Sequence, residues 1–160
     1  LVTFHSRMVI MAHKPTDNPK VTCKFGTKNH GHIVWQAGYH TGTDYAAKSG
    51  DNVYAVLDGE IIHVGRFGGW GVAYGIHIII KSGKQHIGYC HLSEVNLKVA
   101  QKKHIKAGEI IGFAGASGHA TGVHLHLEVR ENPWLYANKC IDPETLFKPV
   151  KPVKPKSVTE

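Results

Sequence analysis

Nothing in this sequence approaches the run of about 18 apolar residues that a membrane-spanning helix needs, and no membrane insertion is expected. Met8-Val9-Ile10-Met11-Ala12 is too short for the apolar core of a signal peptide. Cysteine is scarce. Cys23, Cys90 and Cys140 lie far apart and form no C-x-x-C pair, which argues against a structural zinc knuckle and leaves at least one thiol without an intrachain partner. Synthesis in the cytosol is the simpler assumption for such a chain. Acidic residues are also in short supply, 12 against 19 lysines and arginines, for a net charge of +7. That field favours an anionic partner: nucleic acid, an acidic membrane, or a cell wall bearing phosphate and carboxylate polymers. Because the lysines sit in turns and a tail rather than interleaved with aromatics along one strand, a nucleic-acid-binding β domain is disfavoured and no nucleic acid is expected as partner. There is no G-x-x-x-x-G-K phosphate loop and no H-E-x-x-H.

What is present is glycine and short β signals. A chain of 160 residues with 18 glycines suits one turn-rich β domain better than a helical bundle. Residues 1–20 read as an irregular arm containing Pro15 and Pro19, followed by a short strand from Val21 to Gly26. Strands are expected over Val53–Leu57, Glu60–Gly65, Gly71–Ile80 and Gln85–His91. Asp58-Gly59, residues 66–70 and residues 81–84 are read as their hairpin turns. Ser93–Ala100 is a short helix or an irregular connection, and Glu109–Ala114 and His124–Arg130 complete the strands. The architecture should be mainly β, an antiparallel core over residues 21–147. Beyond it, residues 148–160 begin KPVKPVKPKS, an extended solvated linker that would lead to a further module.

One strand has chemistry on it. Val123 to Val129 alternates strictly, with Leu125, Leu127 and Val129 on one side and His124, His126 and Glu128 on the other. Two imidazoles about 6–7 Å apart along a strand suit holding a metal or moving a proton, although a solvated face that happens to carry histidines would look the same. His40 and Asp44 lie four apart with Gly42 between them. If that segment is extended, both point one way; if it turns, Gly42 lets them converge. Two histidines and a carboxylate make a usual catalytic zinc set, three protein ligands with the fourth position left to water. The bound metal would lower the pKa of that water and polarise a carbonyl. His91, at a strand end, and His124 of the H-x-H pair could then serve as base or as donor to the developing oxyanion.

Phe25-Gly26, His40-Thr41-Gly42-Thr43-Asp44-Tyr45-Ala46, Gly88-Tyr89-Cys90-His91-Leu92, the run Gly108-Glu109-Ile110-Ile111-Gly112, Thr121-Gly122-Val123-His124-Leu125-His126-Leu127-Glu128 and Ile141-Asp142-Pro143 together resemble the lysostaphin-like, or LytM-type, zinc endopeptidases that cut peptidoglycan peptides. The resemblance runs from about Val21 to Phe147. It implies an antiparallel β core of the duplicated hybrid motif type, with a substrate groove flanked by loops. It implies one zinc ion per chain on His40, Asp44 and His126, with His91 and His124 catalytic. The implied activity is hydrolysis of peptide bonds in peptidoglycan cross-links or stem peptides at the bacterial cell wall, with anionic wall polymers as further partners. A non-catalytic LytM-type domain that regulates or scaffolds other wall hydrolases is the alternative, and the retention of all five positions weighs against it. The linker and the lack of a signal segment fit the catalytic module of a phage endolysin, released by a lysis system. A tail-associated lysin, an autolysin fragment or a chain with a lost N-terminal segment fit nearly as well.

The sequence departs from the family in one respect. Some members carry a tyrosine in the loop before the first ligand, whereas Gly31–Gly38 has His32 and Trp35. Tyr39 adjoins the ligand, but its direction is open. Trp70, between two glycines, is the best candidate for a substrate-facing aromatic, with core packing as the competing reading, and His32 is a candidate substrate contact. Trp35 and Trp134 could pack in the core or line a groove. Glu128 is expected to stand behind the metal ligand or at the surface rather than to act as base. The remaining histidines have no partner at ligand spacing, and Asp142 reads as a turn initiator.

Overall fold

The structure, a computed structural model, describes residues 11–133 and 140–149. Trp134, the first ten residues of the N-terminal arm and residues 150–160 of the linker lie outside the described residues. Among those described, ten strands form one antiparallel sheet: β1 (Val21–Cys23), β2 (Thr43–Ala46), β3 (Asn52–Tyr54), β4 (Gly59–Gly65), β5 (Ile76–Ser82), β6 (Gln85–Val95), β7 (His104–Ile105), β8 (Ile110–Ala114), β9 (His124–Arg130) and β10 (Cys140–Ile141). The main path runs β1-β2-β9-β6-β5-β4-β7. A single-turn helix α1 (Leu97–Ala100) is capped by the Asn96 side chain, which accepts from the Lys98 amide.

β6 organises the sheet because it changes partner along its length. Residues 86–90 pair with β9, and residues 92–95 pair with β8, whose other edge holds β3. Between the two sets stands His91, with φ +61°. A non-glycine residue in this left-handed region costs free energy unless its surroundings hold it there. The core fills the space behind the sheet. Ile78, Ile80, Ile87, Tyr89, Leu125, Leu127 and Val129 come from the main path, while Val53, Ala55 and Ile111 come from the β3–β8 side. Each fully buried aliphatic contributes about 1.5–3 kcal/mol in transfer free energy, which is what fixes the register of β9.

Two local expectations change. Gly71–Ile80 is not one strand: Val72–Tyr74 form a 3₁₀ turn between Gly71 (φ +102°) and Gly75 (φ +66°), and β5 starts at Ile76. Asp58-Gly59 is no hairpin, because β3 pairs with β8 while β4 pairs with β5 and β7. Instead the Asp58 carboxylate accepts from the Ala107 amide at 2.8 Å. The residue 81–84 turn does close a hairpin, with Ser82 opposite Gln85. β7 and β10, two residues each, are too short to show a period. The described part of the N-terminal arm is irregular but bonded to the domain, with the His13 amide on the Val56 carbonyl and the Tyr54 amide on that of Pro15. Asp142 does initiate a turn, capping the 3₁₀ segment Pro143–Phe147.

Candidate active site

Adjacent strands deliver most of the site. In the β2–β9 ladder Asp44 stands opposite His126 and Ala46 opposite His124, and directly opposed residues of an antiparallel pair share a face. β6 lies on the other side of β9, with Cys90 opposite His126, and His91 follows as the chain leaves that ladder. His40 precedes β2 and is held by the Thr27 and Gly26 backbone, its amide donating to Thr27 and its carbonyl accepting from Gly26, both at 2.8 Å. Gly42 is needed for closeness rather than for a left-handed turn. A Cβ there would stand 2.4 Å from the Leu127 carbonyl oxygen and 2.7 Å from the His126 ring.

Three donor atoms converge. His40 Nε2 lies 3.2 Å from Asp44 Oδ1 and 3.2 Å from His126 Nδ1, and His126 Nδ1 lies 2.8 Å from Asp44 Oδ1. Ligands on a tetrahedral zinc ion with bonds of about 2.0–2.1 Å are about 3.3 Å from one another, so this set has the chemistry and the spacing to fit zinc. Without a cation, protons must separate these electron-rich atoms. Burial would lower the His126 pKa, but hydrogen bonds and charge from Asp44 and Glu128 outweigh it and raise it to about 9. Asp44 behaves conversely: burial would raise its pKa, yet His126 and His40 hold it well below the usual carboxylate range.

The outer nitrogen of every ring here has an oxygen partner. His40 Nδ1 faces the Lys24 carbonyl at 3.2 Å, and His126 Nε2 faces Glu128 Oε2 at 2.9 Å. His91 Nδ1 faces the Ser117 carbonyl at 2.7 Å, and His124 Nδ1 faces the Gly122 carbonyl at 2.9 Å. A carbonyl can only accept, so His91 and His124 donate through Nδ1, and a neutral ring so held carries its lone pair on Nε2. Burial first, then the nearby charge of His126, push the His91 pKa down to about 4, which keeps this ring neutral in ordinary buffers. The two rings lie 5.1 Å apart, and His124 Nε2 is 3.7 Å from Asp44 Oδ1.

Glu128 is the residue the sequence undervalues. It stands behind the ligand, as one of the two expected placements had it, and is fully buried. Thr41 Oγ1 donates to it at 2.8 Å, Arg130 Nε at 2.7 Å and Arg130 Nη2 at 2.6 Å, with the Tyr74 hydroxyl 3.2 Å away. A buried carboxylate is tolerable only with partners of this kind. Burial would raise its pKa, but the bond and charge from His126, with Arg130, bring it down to about 2. The polar face of β9 is therefore covered from His126 onward, and not a solvated face.

A groove of ≈ 1530 Å³ opens over the site, lined by both His40 and His124 and by loop residues on either side. Trp70 borders it and also packs tightly, with the Arg130 guanidinium 3.8 Å above its ring and Gly88 beneath, where a Cβ would meet the indole at 2.1 Å. His32 lines the groove and is exposed. Trp35 lies 5.1 Å from the His40 ring, closing that side of the ligand. Tyr39 packs edge-on against Phe25. Cys23, which spacing alone did not bring here, sits with His40 and Asp44 in one potential ligand group.

Comparison with known proteins identifies the family. The profile of peptidase family M23 matches residues 38–143. The DD-carboxypeptidase/endopeptidase Mpg of Neisseria meningitidis serogroup B is 38% identical over 120 residues, which is 74% of this chain and 26% of that protein. The chain thus spans about a quarter of the length of that curated relative (26%). The catalytic domain of the antimicrobial peptidase lysostaphin from Staphylococcus simulans superposes with a TM-score of 0.70 at 27% identity, covering 84% of this chain and 98% of that one. A zinc containing peptidase from Vibrio cholerae superposes at 0.64 with 28% identity, over 90% of this chain and 40% of that one. The antiparallel β fold, the match to the profile and the lysostaphin-like neighbours together make this chain a member of peptidase family M23.

Proposed function

We propose that the chain is a zinc-dependent endopeptidase that hydrolyses peptide bonds in the cross-links or stem peptides of bacterial peptidoglycan. The observation that carries this reading is the convergence of His40 Nε2, Asp44 Oδ1 and His126 Nδ1 to within 3.2 Å of one another at the floor of the groove. These three would hold the ion. Zinc, when bound, polarises a carbonyl and brings the pKa of a coordinated water toward neutrality.

The rest falls to the protein. His91 and His124 can each present an Nε2 lone pair, so one of the two accepts the proton of the attacking water and returns it to the leaving amine. Ser117 and Gly122 hold the two rings by their Nδ1 atoms, which fixes the tautomer and aim of each. Once protonated, either imidazole is also a donor for the developing oxyanion. The groove walls orient the peptide, and the net charge of +7 draws the enzyme to an anionic wall.

The test is incubation with purified peptidoglycan from several bacteria, with and without chelator, followed by mass analysis of the soluble fragments. Newly freed amines and opened cross-links that disappear with chelator are expected. Intact peptides from metal-loaded protein would overturn the reading.

A further inference from the structure

We propose that Cys23 is a fourth protein ligand of this metal centre, closing it at rest. The inference rests on the metal reading above but on separate observations. The first is register. Val21 stands opposite Tyr45, so regular pairing would place Cys23 opposite Thr43, on the core side of β2. A one-residue slip sets Cys23 opposite Asp44 instead. Because side chains alternate across a sheet, that slip turns the thiol from the core face to the face that carries the ligands. Bulges of this kind re-aim side chains beside active sites.

The second observation is proximity. The Cys23 sulfur, a ring nitrogen of His40 and a carboxylate oxygen of Asp44 all lie within 4.8 Å of one another. Thiolate and nitrogen ligands on one tetrahedral zinc ion are separated by about 3.6 Å, so the sulfur needs to advance toward His40 and Asp44 by no more than about 1 Å, a modest turn about its Cα–Cβ bond. The thiol is half-buried, free of any disulfide among the described residues, and lines the same groove as His40, Asp44 and His124. Coordination releases the thiol proton to solvent as the sulfur–metal bond forms. The product is a set of two histidines, one carboxylate and one thiolate, closed as structural zinc sites are closed. An incoming peptide then has to displace a ligand of the chain itself.

Cobalt(II) reports on this directly, because thiolate coordination adds a near-ultraviolet charge-transfer band that nitrogen and oxygen ligands lack. The apoprotein loaded with one equivalent of cobalt should show this band, Cys23→Ser should lose it while keeping the visible bands of bound cobalt, and Cys140→Ser should retain it. On the wild-type chain, one equivalent of zinc should slow alkylation of Cys23 roughly tenfold, read by peptide mass mapping. That arm stands even if Cys23→Ser fails to fold. Cobalt bound without the band, or Cys23 alkylated at the same rate with and without zinc, overturns the assignment. Peptidoglycan hydrolysis by the same samples separates the two readings, since active protein lacking the band would remove Cys23 alone. Failure to bind cobalt at all overturns both.

Discussion

His126 Nε2 lies 2.9 Å from the buried Oε2 of Glu128, so the ring turns Nδ1 inward to His40 and Asp44. The carboxylate thereby chooses which nitrogen faces the cation and increases its basicity. Glu128→Gln should weaken zinc binding about 10–100-fold, measured by competition with a chromophoric chelator. Glu128→Ala, which removes the carboxylate that balances the buried charge of Arg130, should cost about 3–5 kcal/mol in denaturant unfolding. Wild-type affinity in Glu128→Gln would remove the carboxylate from the metal chemistry.

Ligand and proton carrier should separate by metal content. His126→Ala should lose zinc and turnover together. His91→Ala should keep close to one zinc per chain while turnover drops about 10²–10⁴-fold, measured by elemental analysis beside fragment release. Equal loss of zinc in both variants would mean that the roles are wrongly divided.

The metal-free protein should be most stable near pH 6.5. His126, raised from 6.5 to about 9, stabilises the fold fully below pH 6.5, and that contribution is lost as pH rises through about 9. His91, lowered from 6.5 to about 4, favours unfolding as pH falls from 6.5 through about 4. Glu128, lowered from 4.5 to about 2, stabilises above pH 4.5 and loses that contribution as pH falls through about 2. Thermal melts in chelator should show both limbs. Zinc should abolish the alkaline one, because the cation replaces the Nδ1 proton of His126.

Gly42→Ala tests closeness. The added methyl would stand 2.4 Å from the Leu127 carbonyl oxygen, so β2 must draw back from β9 and carry Asp44 with it. Metal affinity should fall by at least about tenfold with the fold retained, a change of about 1.4 kcal/mol. Circular dichroism alongside the chelator titration checks both halves.

Lysis of whole cells should slow as salt is raised, whereas cleavage of a small soluble peptide should change little. A net charge of +7 attracts an anionic wall over distances that salt screens to about 8 Å at physiological strength.

Much of this site was legible because strand periodicity is local. The alternation from His124 to Val129 puts three aliphatics on one face and His124, His126 and Glu128 on the other, and in the structure the aliphatics are buried in the core while His126 faces Asp44. The spacing of His40 and Asp44 left two geometries open, and the choice depended on β9 approaching Gly42 from 80 residues away in sequence, which no local pattern encodes. Glu128 was undervalued for a related reason. Its partners Thr41, Tyr74 and Arg130 come from three segments, and burial by the residue 69–75 loop is a tertiary fact. Cys23 was invisible because its aim depends on a one-residue slip between β1 and β2. The strand expected from Gly71 failed at two glycines whose backbone angles apolar content does not report.

The change of partner at His91 has a consequence for how the enzyme could diversify. Asp44, His91, His124 and His126 ride on β2, β6 and β9, strands hydrogen-bonded in succession, while the groove walls are loops outside that ladder. The reactive centre is thus inherited with the sheet and with the few loop residues that brace it, Thr27 and Trp35 at His40 and Tyr74 at Glu128, while the exposed stretch 28–34 of the wall can be rewritten around it. Transplanting residues 28–34 between relatives should exchange which bond is cut while the spacing of His40, Asp44 and His126 is kept.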